Sequence, residues 1–373
     1  AYMKGMQDNG VMATAKHFPG HGDVTVDSHK DLPVITKSRA ELDSLELAPF
    51  KALIDAGVES IMVAHLSVPA IDDRPKYATS LSPKAVNGLL KKELGFKGIS
   101  VTDAMDMKAI ANYFPQGEAN VQAILAGNDM LCLPGDIGQS IQKIRQAVKE
   151  RRIKRSDINA RVKKILAAKY KYGLGVQQII DTLNIVADLN QSVGTINSAM
   201  AQQSLTFLRA TNSPDLNNKT AYIALNAKSA TAFTSSIAST YGVKIFYTSG
   251  KDANELALIN DSVKAYDQVI VGLHGYNRRP ANHFEIPAAT LQFLNAMGHE
   301  NWIHLIFGNP YAVGDFSKIN NILLAFEDTK YSHSAVQKWL EGKLQASGVL
   351  PVTISPELNF GKASERPQLK KKY

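Results

Sequence analysis

The stretch Lys16-His17-Phe18-Pro19-Gly20-His21-Gly22-Asp23-Val24-Thr25-Val26-Asp27-Ser28-His29 constrains this chain more than any other. An apolar run from Val11 to Ala15 leads straight into it. That order reads as a buried strand that delivers polar groups to a loop at its C-terminal end. In α/β barrels the chemistry sits at that end of the strands.

The residues around this segment repeat one pattern. Residues 11–18, 58–65, 98–103 and 129–134 read as four short buried strands, and helix-like runs occupy 38–56, 82–94 and 118–126. Ser82 followed by Pro83 suits an N-cap with proline at the first helical position. Each strand ends in polar residues: Lys16 and His17, His65, Asp103, and Asn128-Asp129 beside the last. This is βα repetition of the barrel type over residues 1–172. Four units make half of an eight-stranded barrel, and a half barrel leaves two open edges. Either the first half lies outside this chain, or another polypeptide supplies it, or the sheet is open. The start Ala1-Tyr2-Met3-Lys4 is neither a signal peptide nor an initiating methionine, which favours the first option.

Residues 173–200 turn polar near Asn190–Asn197 and read as a connection between domains. A second alternating series fills 201–361, with strand-like runs at 221–225, 243–247, 268–273, 302–307 and 322–326 and helix-like runs at 254–265, 288–297 and 334–344. It predicts a three-layer α/β domain with a mainly parallel sheet. The charged end, 362–373, reads as a disordered basic tail.

Composition excludes some classes. With 45% hydrophobic and 20% charged residues the 373-residue chain is ordinary for a globular protein. No apolar run approaches the ~18 residues that would cross a bilayer. The net charge of +8 is concentrated between Lys143 and Lys171 and in Lys370–Lys372. Apolar residues at helical spacing run through the first segment without interleaved aromatics, so it reads as the solvated face of surface helices and not as a nucleic-acid site. One cysteine, Cys132, rules out an intrachain disulfide.

Five residues stand out as candidates for chemistry. Asp103 is a carboxylate at the end of an apolar strand; it reads as a catalytic group, or as the N-cap of a helix starting at Ala104. Asp27 and His29 are two apart, so on an extended segment they project to one side. A carboxylate beside an imidazole favours its charged form and orients its tautomer, which makes His29 a proton shuttle. Lys16 and His17 end the first strand together and suit the hydroxyls of a polar ligand. His21 and Asp23 read first as loop structure. His65 reads either as a core histidine satisfied by its neighbours or as a site residue.

Lys16 to Gly22 followed by Asp27-Ser28-His29 resembles the family 3 glycoside hydrolases, in their bacterial β-N-acetylglucosaminidase branch. Leu89-Leu90-Lys91-Lys92-Glu93-Leu94-Gly95-Phe96-Lys97-Gly98 running into Val101-Thr102-Asp103 resembles the family's nucleophile signature, with Ser100 where a more apolar residue is usual. Ala126-Gly127-Asn128-Asp129-Met130 resembles the last barrel strand, with Asn128 where a small apolar residue is common. The resemblance implies the C-terminal half of a (β/α)8 barrel followed by an α/β sandwich domain. It implies a retaining exo-β-N-acetylglucosaminidase with Asp103 as nucleophile, His29 as acid/base, Asp27 as its partner, and Lys16 and His17 on the terminal sugar. The substrate it implies is a glycan, from peptidoglycan fragments or chito-oligosaccharides. No cofactor, nucleic acid or membrane insertion is expected. The compartment stays open between bacterial cytoplasm and periplasm. The family's earlier sugar-binding Asp and Arg belong to the first barrel half and have no counterpart in these residues.

Two other readings compete. His17, His65 and Asp103 end successive strands, as the ligands of a metal-dependent barrel hydrolase do. A non-catalytic glycan-binding protein is the second, but pure binding needs no nucleophile.

Overall fold

The computed structural model describes residues 1–364, apart from 23, 25–30, 115–116, 177–178, 180, 297–298, 300–301 and 317. The chain divides into two compact units, Ala1–Ile180 and Asp181–Tyr373.

The first unit is built on four strands: β1 (Thr14–Phe18), β2 (Ser60–Val63), β3 (Ile99–Ala104) and β4 (Met130–Cys132). They pair in chain order and all in parallel. Parallel neighbours need a crossover, and helices supply it here. One apolar core gathers Phe18, Ile61, Val63, Leu66, Val86 and Leu90, so the strands and the crossover helices share it. The first strand starts at Thr14 and not at Val11, which is half-exposed next to the turn at Gly10. The stretch expected as one helix over 38–56 is two, Arg39–Ser44 and Leu47–Asp55. Pro49 explains the break. It has no N–H to donate, and its ring crowds the carbonyl of Leu45. Ser38 caps the first of these helices in a reciprocal box with Glu41. Ser82 also caps as expected, its Oγ accepting from the Ala85 N–H at 3.2 Å.

The second unit holds β5 (Thr206–Leu208), β6 (Thr220–Leu225), β7 (Lys244–Thr248), β8 (Gln268–Leu273), β9 (Ile303–Ile306) and β10 (Ile322–Leu324). Their order is β5-β10-β9-β8-β6-β7, parallel except for β5. Successive side chains of a strand face opposite sides. Ala221, Ile223 and Leu225 accordingly join one core, with Leu256, Val263 and Phe293 from the helices Ala253–Val263 and Ala288–Leu294. Tyr222 and Ala224 join the other, with Phe233, Val336 and Trp339 from Ala232–Tyr241 and Lys330–Leu340. Helices therefore cover both faces of the sheet.

Two boundaries differ from the sequence reading. Within 173–200, expected as a connection, the chain forms the helices Ile185–Asn190 and Val193–Ser204, and the second packs on Lys330–Leu340. In that helix Asn197, Ser198 and Gln202 are half-buried while Ile196 and Met200 are 51% and 64% exposed, a placement that composition did not reveal. The basic tail begins later than 362. Leu350 N–H donates to the Lys362 carbonyl at 2.9 Å, and Ser364 N–H to that of Phe207 at 2.7 Å. Residues 365–373 lie outside the described residues.

Candidate active site

Asp103 is the fifth residue of β3, near the strand's C-terminal end. Its side chain is 15% exposed. One oxygen, Oδ1, accepts from the N–H of Ala104 at 2.9 Å. The capping alternative fails, because the next helix is Lys108–Ala111 and its N-cap position is Met107. Asp103 stays in the strand, with its other oxygen turned toward His17.

His17 sits on β1 with Nε2 3.9 Å from Asp103 Oδ2. That is too long for a hydrogen bond. Burial lowers the His17 pKa, the charge of Asp103 works against this, and Lys16 and His21 push it further down. The imidazole is therefore biased toward its neutral form. It sits beside the carboxylate as a donor or acceptor for a third group and leaves the charge of Asp103 uncompensated. His21 crosses His17 edge to face, with ring centroids 5.9 Å apart. Lys16, next along β1, is exposed.

The loop after β1 is fixed by its sequence. Phe18 and Pro19 are buried, and Phe18 meets Phe50 edge on at 5.3 Å. Gly20 has φ +139°, and a Cβ there would lie 2.6 Å from Cβ of Glu46. No side chain fits at that crossing. Glu46 is buried and paired with Lys37. The Pro-Gly step thus lays the loop tightly over the helix that begins at Leu47.

Asp27 and His29, and with them Asp23, lie outside the described residues. Of the five singled-out residues the structure places Lys16, His17 and Asp103, and it brings the last two together.

His65 is the satisfied core histidine of the two readings. It is fully buried. Nδ1 is 2.7 Å from Ser80 Oγ and Nε2 is 2.9 Å from the Ala104 carbonyl. A neutral ring does both when Nε2 donates and Nδ1 accepts. Burial, the largest influence, lowers its pKa. Neither nitrogen is left for a metal, so His17, His65 and Asp103 do not form the ligand set of a barrel metalloenzyme. Among the described residues these three do not gather as metal ligands do.

Asp129 precedes β4 and lies at the other end of the sheet from Asp103. Its carboxylate accepts from Ser100 N–H and Ser100 Oγ, both at 3.0 Å, and pairs with Lys164 at 2.9 Å and Lys91 at 3.2 Å. Burial alone would raise its pKa, but the Ser100 N–H and the two lysines outweigh it and hold the carboxyl low. Ser100, which departs from an apolar expectation, is there to bond Asp129. Asn128 donates to the carbonyls of Ser80 and Ala123 at 2.7 and 3.0 Å. Both residues serve structure.

Residues 1–168 match the family model for the glycosyl hydrolase family 3 N-terminal domain. These residues belong to glycoside hydrolase family 3. A beta-hexosaminidase of Nitrosomonas eutropha is 36% identical over 136 residues, 36% of this chain and 38% of that protein. A beta-hexosaminidase A of Pseudoalteromonas piscicida is 36% identical over 147 residues, 36% of this chain and 24% of that protein. The matched part is thus less than half of either relative. The solved family 3 beta-N-acetylglucosaminidase of Paenibacillus sp. superposes with a TM-score of 0.72 at 26% identity, covering 95% of this chain and 69% of that one. This structural likeness spans both units, where the family model covers the first.

Proposed function

We propose that this chain is part of a retaining exo-β-N-acetylglucosaminidase that removes terminal β-linked N-acetylglucosamine, with peptidoglycan fragments as the natural source. The observation that carries the reading is Asp103. It is a mostly buried carboxylate at the C-terminal end of a parallel strand, with one oxygen turned toward the neutral-biased His17 and no cation paired to it among the described residues. A carboxylate nucleophile must be anionic, and it must be positioned without a counter-ion occupying its line of attack.

In the mechanism Asp103 attacks the anomeric carbon and the glycosidic bond breaks, giving a glycosyl ester. His29, oriented by Asp27, gives its proton to the leaving oxygen and then takes one from the incoming water, which releases the sugar with retained configuration. Lys16 and His17 hold hydroxyls of the terminal sugar. The first unit is one half of an eight-stranded barrel within residues 1–172, and an α/β sandwich domain lies within 201–361. Four parallel strands in chain order support the barrel half. So does the apolar surface beside the unpaired edge of β4, where Met130 is 41%, Leu133 61%, Ile137 62% and Ile141 46% exposed. Polypeptide outside this sequence covers that edge and brings further sugar contacts.

The test is Asp103→Ala in the protein that carries this sequence. Release of nitrophenol from a nitrophenyl N-acetyl-β-glucosaminide falls to background while circular dichroism is unchanged. Turnover within tenfold of the unmodified protein overturns the assignment.

A further inference from the structure

The second unit has its own cluster of ligating side chains, which the glycosidase reading does not use. It sits beyond the C-terminal ends of β6, β8 and β10. From β6 the chain goes to β7 on one side and then to β8 on the other, so the strand order reverses here. Ligands of open α/β sheets bind at such a point.

His274 follows β8, Asp328 follows β10, and His333 lies in the helix Lys330–Leu340. His274 Nδ1 is 3.3 Å from Asp328 Oδ2, and His333 Nε2 is 2.6 Å from Asp328 Oδ1. One ligand atom from each residue lies within 4.8 Å of the other two. We propose that His274 Nδ1, the Asp328 carboxylate and His333 Nε2 bind one divalent transition-metal ion of the zinc type, with the fourth position open to solvent.

Two imidazoles and one carboxylate are the donors such an ion prefers. Bonds of about 2.0–2.2 Å in tetrahedral arrangement set ligand atoms roughly 3.3 Å apart. The His274–Asp328 pair already has that spacing, and the His333 contact opens by about 0.7 Å when an ion replaces its hydrogen bond. The surroundings hold the ligands as a metal site requires. His274 Nε2 is 2.8 Å from the hydroxyl of Tyr222, which is fully buried. The His274 ring stacks on Phe307 with centroids 4.6 Å apart and planes 14° apart. Gly275 N–H donates to Asp328 Oδ2 at 2.8 Å. Gly272 on β8 makes the room, since a Cβ there would lie 1.8 Å from the Tyr222 hydroxyl and 2.7 Å from His274 Nε2.

With the ion bound, each ring carries its proton on the nitrogen away from it, and on His274 that N–H, at Nε2, donates to Tyr222 Oη. An outer partner of this kind orients the ligand and raises its basicity. The side chains of Asp328 and His333 are 25% and 15% exposed, so an ion has a route in.

The untagged protein, dialysed against a chelator, is titrated with Co²⁺ and with Zn²⁺. The expected result is uptake of one equivalent, with the visible absorption bands of four-coordinate cobalt that Zn²⁺ then abolishes. His333→Gln and Asp328→Asn each remove the bands, and Tyr222→Phe weakens binding about tenfold. Fluorescence of Trp302 and Trp339 checks that each variant folds. His333→Gln decides the matter where Asp328→Asn does not fold, because His333 sits in the first turn of a surface helix. No stoichiometric uptake, or uptake unchanged in His333→Gln, overturns the site and leaves a purely hydrogen-bonded strap.

Discussion

Replacing His65 tests how the strand of Asp103 is held. The ring ties the segment just after β2 to the last residue of β3 through the Ala104 carbonyl, and to Ser80 behind it. His65→Ala orphans the buried Ser80 hydroxyl and takes one of two donors from that carbonyl, which keeps the Met107 N–H at 3.1 Å. Each buried group left unpaired costs about 1–3 kcal/mol. The unpaired hydroxyl gives about 1–3 kcal/mol and the lost carbonyl bond about 0.5–1.5 kcal/mol, and the cavity adds to this while a trapped water reduces it. We expect a loss of about 3 kcal/mol, a large part of the 5–15 kcal/mol that holds a typical domain. His65→Gln places an amide near the Nε2 position, so it keeps the bond to Ala104 and recovers roughly half of the loss.

The readout has to belong to the first unit. Both tryptophans, Trp302 and Trp339, lie in the second. Hydrogen exchange on peptides covering β2 and β3 reports the opening free energy of the right region. A loss below ~1 kcal/mol in the alanine variant would refute the reasoning, since an orphaned buried hydroxyl and a lost carbonyl bond together cost more than that. Equal losses in the alanine and glutamine variants would refute the role given to Ala104. The pH dependence gives a second readout. The folded pKa of His65 lies below 6.5 because burial disfavours the charged ring. The unfolded chain then binds more protons, so stability is complete above about 6.5 and falls as the pH drops below it. His65→Gln flattens that slope.

Asp129→Asn removes the partner of two lysines at the foot of β3 and β4. Because its carboxylate is 4% exposed, we expect a loss of about 3 kcal/mol in urea unfolding. The folded carboxyl titrates below its ordinary 3.8, so its stabilisation is whole above that value and disappears as the pH falls further; the asparagine variant lacks this acid-side loss. In His29→Ala, substrates with good leaving groups keep most of their turnover and natural disaccharides lose it, because only the latter need the proton. Equal losses on both would remove His29 from the acid/base role.

Much of the architecture was legible because apolar runs and helical periodicity are local signals. The four strands of the first unit and five of the six in the second were found within a few residues. The exception is β5, a three-residue antiparallel edge whose pairing with β10 is set by tertiary contact. The break before Leu47 was legible in principle, from Pro49. At the site, Asp103 and His17 were visible as polar ends of apolar strands. What the sequence did not distinguish was which polar ends face a ligand and which face another residue. His65 and Asp129 share the pattern of Asp103, yet each is closed by partners 15 to 39 positions away. The His274–Asp328–His333 cluster was hidden for the same reason. Its members come from two strand ends and a helix, and the first two are 54 positions apart.

The central claim is that Asp103 carries the sugar. The direct measurement is peptide mass mapping of the protein quenched during slow turnover of a fluorinated N-acetylglucosaminyl fluoride, which makes the glycosyl ester accumulate. The account predicts one sugar adduct, on the peptide containing Asp103 and on that residue. An adduct on another carboxylate, with Asp103 unmodified, would contradict it.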